Sequence, residues 1–294
     1  MEAEFENSSP SVPQPGNFPL RVLLPLVAFL LWNLAYAGAL LLLPPPAGIA
    51  LALVFTAVYL WLAVFPRGPG WAAARRASTL RLRPPLPRTR RWLAAAVPVS
   101  LVLSGSLDIV YSGLVRIPMD AYNPFGGLTG TPLGRLSIAV VAIGIAPLVE
   151  ELVFRGLLQR SLERRWDLRR GIAGAAAVFA LVHGIPAAFP LYLFLGVVFG
   201  FVVYATRSIW SGVILHAANN SLAFLSLSFA PEELVRPTLH ESGFTPEWWT
   251  ALGVLTLALI AGGWLARGML RAGRETRDPH GDPCSRGDVA PLPS

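Results

Sequence analysis

Lysine is missing from the chain altogether: each of its 24 basic residues is an arginine. That absence excludes a P-loop, which needs its lysine, and any Schiff-base chemistry on a lysine amine. Cysteine occurs once, as Cys284 near the C-terminus, so neither an intramolecular disulfide framework nor a thiolate metal cluster can be built. Charge is also scarce, at 14% of residues against about 25% in an ordinary soluble domain. With 54% hydrophobic residues, the composition is that of an integral membrane protein. The net charge of +7 does not signal nucleic-acid binding, because the arginines cluster in short links between apolar segments, where positive charge sets membrane orientation.

What remains is a series of apolar runs separated by proline and arginine. Residues 1–17 are polar, acidic and Pro/Ser-rich, and read as a disordered lead. A signal peptide is disfavoured, since the lead is acidic and the run from about Leu20 to Leu43 exceeds the 7–15 residues of a signal core. Further helices are expected at about Ile49–Phe65, Trp92–Val115, Thr131–Gln159, Ile172–Gly184, Leu191–Ala205, Ile209–Phe229 and Thr250–Ala266. Thr131 followed by Pro132 is a good helix start, a capping hydroxyl and then a proline in the first turn. The reading is all-α: a polytopic membrane bundle of about eight transmembrane helices over 18–270, with a catalytic core at 133–229 and a disordered polar tail at 271–294.

The positive-inside rule orients the bundle. Arg67, Arg75, Arg76, Arg81, Arg83, Arg88, Arg90 and Arg91 crowd one link, and Arg160, Arg164, Arg165, Arg169 and Arg170 another. Placing both in the cytoplasm puts both termini there as well. The expected home is a prokaryotic plasma membrane, with the missing lysine pointing toward a GC-rich genome.

Against this apolar background, a few polar residues stand out. Glu150, Glu151 and Arg155 lie within Pro147-Leu-Val-Glu-Glu-Leu-Val-Phe-Arg155, and each charge near mid-membrane costs about 2.5–3.5 kcal/mol on insertion scales. His183 lies in the fifth expected helix, His216 and Asn220 in the seventh. At about 1.5 Å rise per residue Glu150, His183, His216 and Asn220 all fall roughly 10–17 Å from the inner surface. Residues four apart share a helix face, so His216 projects with Asn220, and Glu151 can pair with Arg155. Pro147 lacks an N–H and should kink its helix one turn before the glutamates. Bland readings exist for each residue singly: a helix-surface ion pair for Glu151 and Arg155, interhelical hydrogen bonding for the histidines and asparagines. Four such residues at one depth favour a functional site.

Glu150-Glu151-x-x-x-Arg155, Phe179-x-x-x-His183 and His216-x-x-x-Asn220 together resemble the three-part pattern of the type II CAAX prenyl protease and bacteriocin-processing family of intramembrane endopeptidases. The resemblance covers about Leu133 to Phe229. It implies hydrolysis of a peptide bond by water held between Glu150 and His183, with Glu150 as base. His216 and Asn220 would donate to the oxyanion, and Glu151 with Arg155 would be a supporting pair. Asn219, beside Asn220, leaves open which asparagine faces the site. The implied partners are a lipid bilayer and a membrane-associated or lipidated peptide or protein, with no nucleic acid. One glutamate and two histidines also suit a zinc shell with an open position. His240-Glu241 is not part of an H-E-x-x-H motif, and a metal-free, cofactor-free mechanism is favoured. The alternatives in other classes are a proton-coupled transporter built on the same cluster and a non-catalytic scaffold or immunity protein.

Overall fold

A computed structural model describes residues 18–64, 78–117, 130–229 and 238–274. The expected lead at 1–17, the first part of the arginine-rich link (65–77), the links around Asp120 and Pro231, and the tail beyond Arg274 with Cys284 lie outside the described residues. Among the described residues the architecture is all-helical, without strands. The main helices are α1 (Phe18–Leu42), α2 (Pro45–Val64), α3 (Arg90–Leu114), α4 (Pro132–Arg165), α5 (Leu168–Val182), α6 (Phe189–Thr206), α7 (Ile209–Phe229) and α8 (Pro246–Arg274).

By length and composition, four helical stretches are able to cross a membrane: Pro87–Leu114, Pro132–Arg165, Pro186–Thr206 and Pro246–Arg274. α1 and α2 contain shorter apolar stretches, Leu26–Ala39 and Pro46–Leu62. The 15-residue α5 is shorter than the roughly 20 residues a hydrocarbon core requires.

Several ends differ from the expectation, for one physical reason. α4 continues six residues past Gln159, α5 starts four before Ile172, and α8 runs to Arg274, into the segment read as tail. Each extension is arginine-bearing. Long arginine stems lie along apolar surface while their heads reach water, so helices outlast their apolar runs. Basic residues in a helix's last turn are also favoured by its dipole. At the other end of α4 the Thr131 hydroxyl accepts from the Gly134 N–H at 3.0 Å, ahead of Pro132.

Four apolar clusters are buried among the described residues, and the two largest join the most helices. Phe29, Trp32, Tyr59, Phe154 and Phe179 join α1, α2, α4 and α5, while Leu93, Phe199, Leu215 and Met269 join α3, α6, α7 and α8. At the start of α8 Trp248 is fixed by an indole hydrogen bond to the Val110 carbonyl at 3.1 Å, and neighbouring Trp249 is exposed, as suits an interfacial aromatic belt.

α4 is not uniformly wound. Val140–Ile145 and Leu152–Gln159 are π-helical, separated by a short α stretch with Pro147, Glu150 and Glu151. π turns inside α-helices occur often at functional sites, and here they bracket the two glutamates.

Candidate active site

The site is built on a hairpin. α4 and α5 are joined by Trp166 and Asp167, and the Asp167 side chain caps α5 by accepting from the Arg170 N–H at 2.9 Å. Glu150 is 15 residues before Arg165 and His183 is 15 after Leu168, so equal arms bring them to about the same level. His183 sits at the C-cap of α5, not inside the helix, followed by Gly184 at φ 69°. That left-handed turn favours glycine and ends the helix. The His183 Nδ1 lies 2.7 Å from the Phe179 carbonyl. A carbonyl only accepts, so Nδ1 carries the hydrogen and Nε2 of the neutral ring keeps its lone pair. Tyr192 stacks on the imidazole at 4.0 Å and fixes its plane.

α7 brings His216 between the two glutamates. Its Nδ1 is 3.1 Å from the Glu151 carboxylate and its Nε2 is 3.8 Å from that of Glu150. The ring is sandwiched by aromatics, stacking on Phe199 at 5.0 Å and edge-on to Phe179. Glu151 is fully buried and pairs with Arg155 at 3.0 Å, the i,i+4 contact that the spacing predicts. Arg155 also donates to the Gly196 carbonyl at 3.2 Å and lies over Phe179 with 4.5 Å to the ring centre. Gly212 makes the carboxylate's position possible, because a Cβ there would meet a Glu151 oxygen at 2.3 Å.

The two glutamates therefore differ. Glu151 is tied to Arg155 and His216. Each keeps one buried carboxylate oxygen without a hydrogen-bond partner, but 13% of the Glu150 side chain is exposed where Glu151 has none. A carboxylate that is reachable but unsatisfied is available to a water proton.

The asparagines face different helices. Asn220 Nδ2 donates to the Ala142 carbonyl of α4 at 2.7 Å, whereas Asn219 Nδ2 donates to Leu215 O and the Ser100 hydroxyl of α3. The Ala142 contact follows from Pro147. The Ala146 N–H bonds to Val141 O, an i→i+5 step, so in the same register residue 147 would serve Ala142 O. Proline has no N–H to give, and the Asn220 amide takes its place. Pro147 thus lies in a short α stretch between two π segments, and Asn220 has one amide hydrogen engaged on α4.

Gln159, Glu163 and Arg81 are site-connected residues that the sequence pattern did not single out. Gln159 is fully buried and bridges Glu163 at 2.8 Å and Gly200 O at 3.1 Å, while Arg81 bonds Glu163 at 2.7 Å. Glu151, Arg155, Gln159 and Glu163 thus recur at four-residue intervals as one polar stripe from the site toward the arginine-rich end. The spacing is visible in the sequence. In a 3.6-residue helix each four-residue step drifts about 40°; the wider π turns counter that drift, which spacing alone does not reveal. Tyr192 carries no signal at all, standing as one aromatic in an apolar run.

Among the described residues, no group of three or more His, Cys, Asp or Glu is disposed to hold a metal ion. What the helices assemble is a shielded carboxylate–histidine centre in an integral membrane protein. Residues 132–222 match the family described as type II CAAX prenyl endopeptidase, Rce1-like, a span containing Glu150, Glu151, Arg155, His183, His216 and Asn220. Comparisons with curated proteins and with solved structures give no match.

Proposed function

We propose that this chain is an intramembrane endopeptidase that cleaves a membrane-associated or lipidated peptide with a Glu150-activated water, without a metal or other cofactor. The partly exposed Glu150 carboxylate, 3.8 Å from His216 Nε2 and inside the family-matching segment, carries the reading. In this mechanism water lies between Glu150 and the His183 Nε2 lone pair. Glu150 takes its proton as the oxygen attacks the scissile carbonyl, then returns that proton to the departing amine.

The remaining residues stabilise and position. Asn220 offers its second amide hydrogen to the oxyanion. For His216 to donate from Nε2 while Nδ1 stays bonded to Glu151, the ring must carry both protons. Glu151 and Arg155 hold that imidazole in place. All eight helices cross or enter the bilayer, both termini face the cytoplasm, and the membrane is a prokaryotic plasma membrane; the arginine-rich links support this orientation.

The test uses the full chain reconstituted in liposomes with a farnesylated peptide ending in Cys-aliphatic-aliphatic-X and its unprenylated twin. Wild type should cleave at least one, and Glu150→Gln should reduce the rate by about 10²–10⁴-fold, the span typical of a lost general base. Cleavage should persist after chelation. Equal rates in wild type and Glu150→Gln would sink the base assignment, and activity lost to chelator and restored by zinc alone would sink the metal-free mechanism.

A further inference from the structure

A second polar feature lies away from the Glu150 centre and shares none of its residues. Near the arginine-rich ends of α3 and α8 is a cleft of about 370 Å³ lined by Arg91, Trp92, Trp264, Arg267, Gly268 and Arg271. Arg267 and Arg271, four residues apart, share a face of α8, and Arg91 enters from the first turn of α3. All three are exposed, and among the described residues none is paired with a carboxylate. Three guanidinium groups on one concave wall repel one another unless an anion joins them.

The rest of the cleft is aromatic. Trp92 and Trp264 meet edge-to-face at 5.0 Å, and the Arg91 guanidinium lies 5.3 Å from the Trp92 ring centre. Gly268 is what admits Trp92, since a Cβ at that position would come within 2.5 Å of the indole. The Trp92 Nε1–H is shielded and finds no acceptor among the described residues. Trp264 is 62% exposed on a helix long and apolar enough to cross a membrane, so its free face meets lipid chains. Tryptophan settles at the headgroup level, and planar guanidinium groups bind phosphate oxygens in bidentate fashion.

Charge above, indole below and a cleft opening between two helices match one ligand chemistry. We infer that this cleft binds the phosphate-bearing headgroup of an anionic phospholipid in the leaflet on the arginine-rich side. The binding requires α8 to cross a bilayer; it does not depend on peptide cleavage at Glu150.

Native mass spectrometry of the detergent-solubilised full chain, titrated with phosphatidylglycerol or phosphatidylcholine, tests this. Wild type should retain phosphatidylglycerol selectively. A polybasic contact contributes about fivefold per arginine, so Arg267→Gln with Arg271→Gln should weaken retention roughly 25-fold and leave phosphatidylcholine unchanged. If the double variant does not fold, exposed Arg271→Gln alone should show about a fivefold loss. Glu150→Gln should bind as wild type does, which separates this site from the peptidase reading. Equal retention of both lipids, or no loss in folded variants, would overturn the site. Displacement of phosphatidylglycerol by excess inorganic phosphate, with phosphate alone remaining bound, would overturn the lipid assignment.

Discussion

Adjacent glutamates on one helix have different surroundings because their side chains leave α4 in different directions. Glu151 turns toward α7, where His216 and the space over Gly212 receive it, and pairs with Arg155 one turn along α4. Glu150 stays partly exposed and has no arginine partner at its carboxylate among the described residues. Arg155 is the residue on which this division rests, with 1% exposure and contacts to Glu151, Gly196 O and Phe179. Removing one partner of a buried pair costs about 3–5 kcal/mol because the other charge is stranded. Arg155→Met should therefore lower the yield and thermal stability of folded protein sharply. Adding Glu151→Gln should recover much of that stability without restoring cleavage, a pattern readable from thermal unfolding in detergent alongside peptide assays. The identity of the pair was legible from its four-residue spacing. Its coupling to His216 was not, because contact between α4 and α7 depends on packing that Gly212 permits and spacing does not encode.

At the scale of the element, α4 is unusual in having two π segments around its glutamates. Pro147 announces a disturbance in the sequence, but not its form. The freed carbonyl at Ala142 finds a donor on α7 in Asn220, so one missing N–H links the winding of α4 to the position of α7. Leaving a buried carbonyl without a partner costs about 1–3 kcal/mol, so Asn220→Ala should destabilise the fold by about that amount. In a Pro147→Ala background the backbone N–H returns and the penalty of Asn220→Ala should shrink. A double-mutant cycle on thermal stability should then show a coupling of at least about 0.5 kcal/mol. The helix boundaries were legible to within a few residues at most ends. They were missed where arginines extended α4, α5 and α8 past the apolar runs, since hydropathy marks where lipid ends and not where hydrogen bonding ends.

At the scale of the molecule, the two largest apolar cores accompany a polar seam running from Glu151 through Arg155 and Gln159 to Glu163 and Arg81. The all-helical architecture and the level shared by Glu150 and His183 were legible in the sequence, the latter because two equal helical arms meet at one turn. The lower part of the seam was hidden because its end partner, Arg81, comes from 82 positions earlier in the chain than Glu163. Orientation has a simple check in the lone cysteine. A membrane-impermeant maleimide should label Cys284 in inverted vesicles and spare it in intact spheroplasts until they are lysed; the reverse pattern would place the C-terminus outside.

The most direct measurement of the central claim, that Glu150 activates water to cut a peptide bond in the membrane, works without a chosen substrate. Membranes from cells expressing wild type or Glu150→Gln at matched abundance are compared by mass spectrometry of protein termini. The prediction is at least one membrane-associated peptide whose new terminus appears with wild type and is absent with Glu150→Gln, while the uncut precursor accumulates. Indistinguishable termini in the two samples, with both proteins folded and equally abundant, would contradict it and favour a transporter or a scaffold built on the same buried charges.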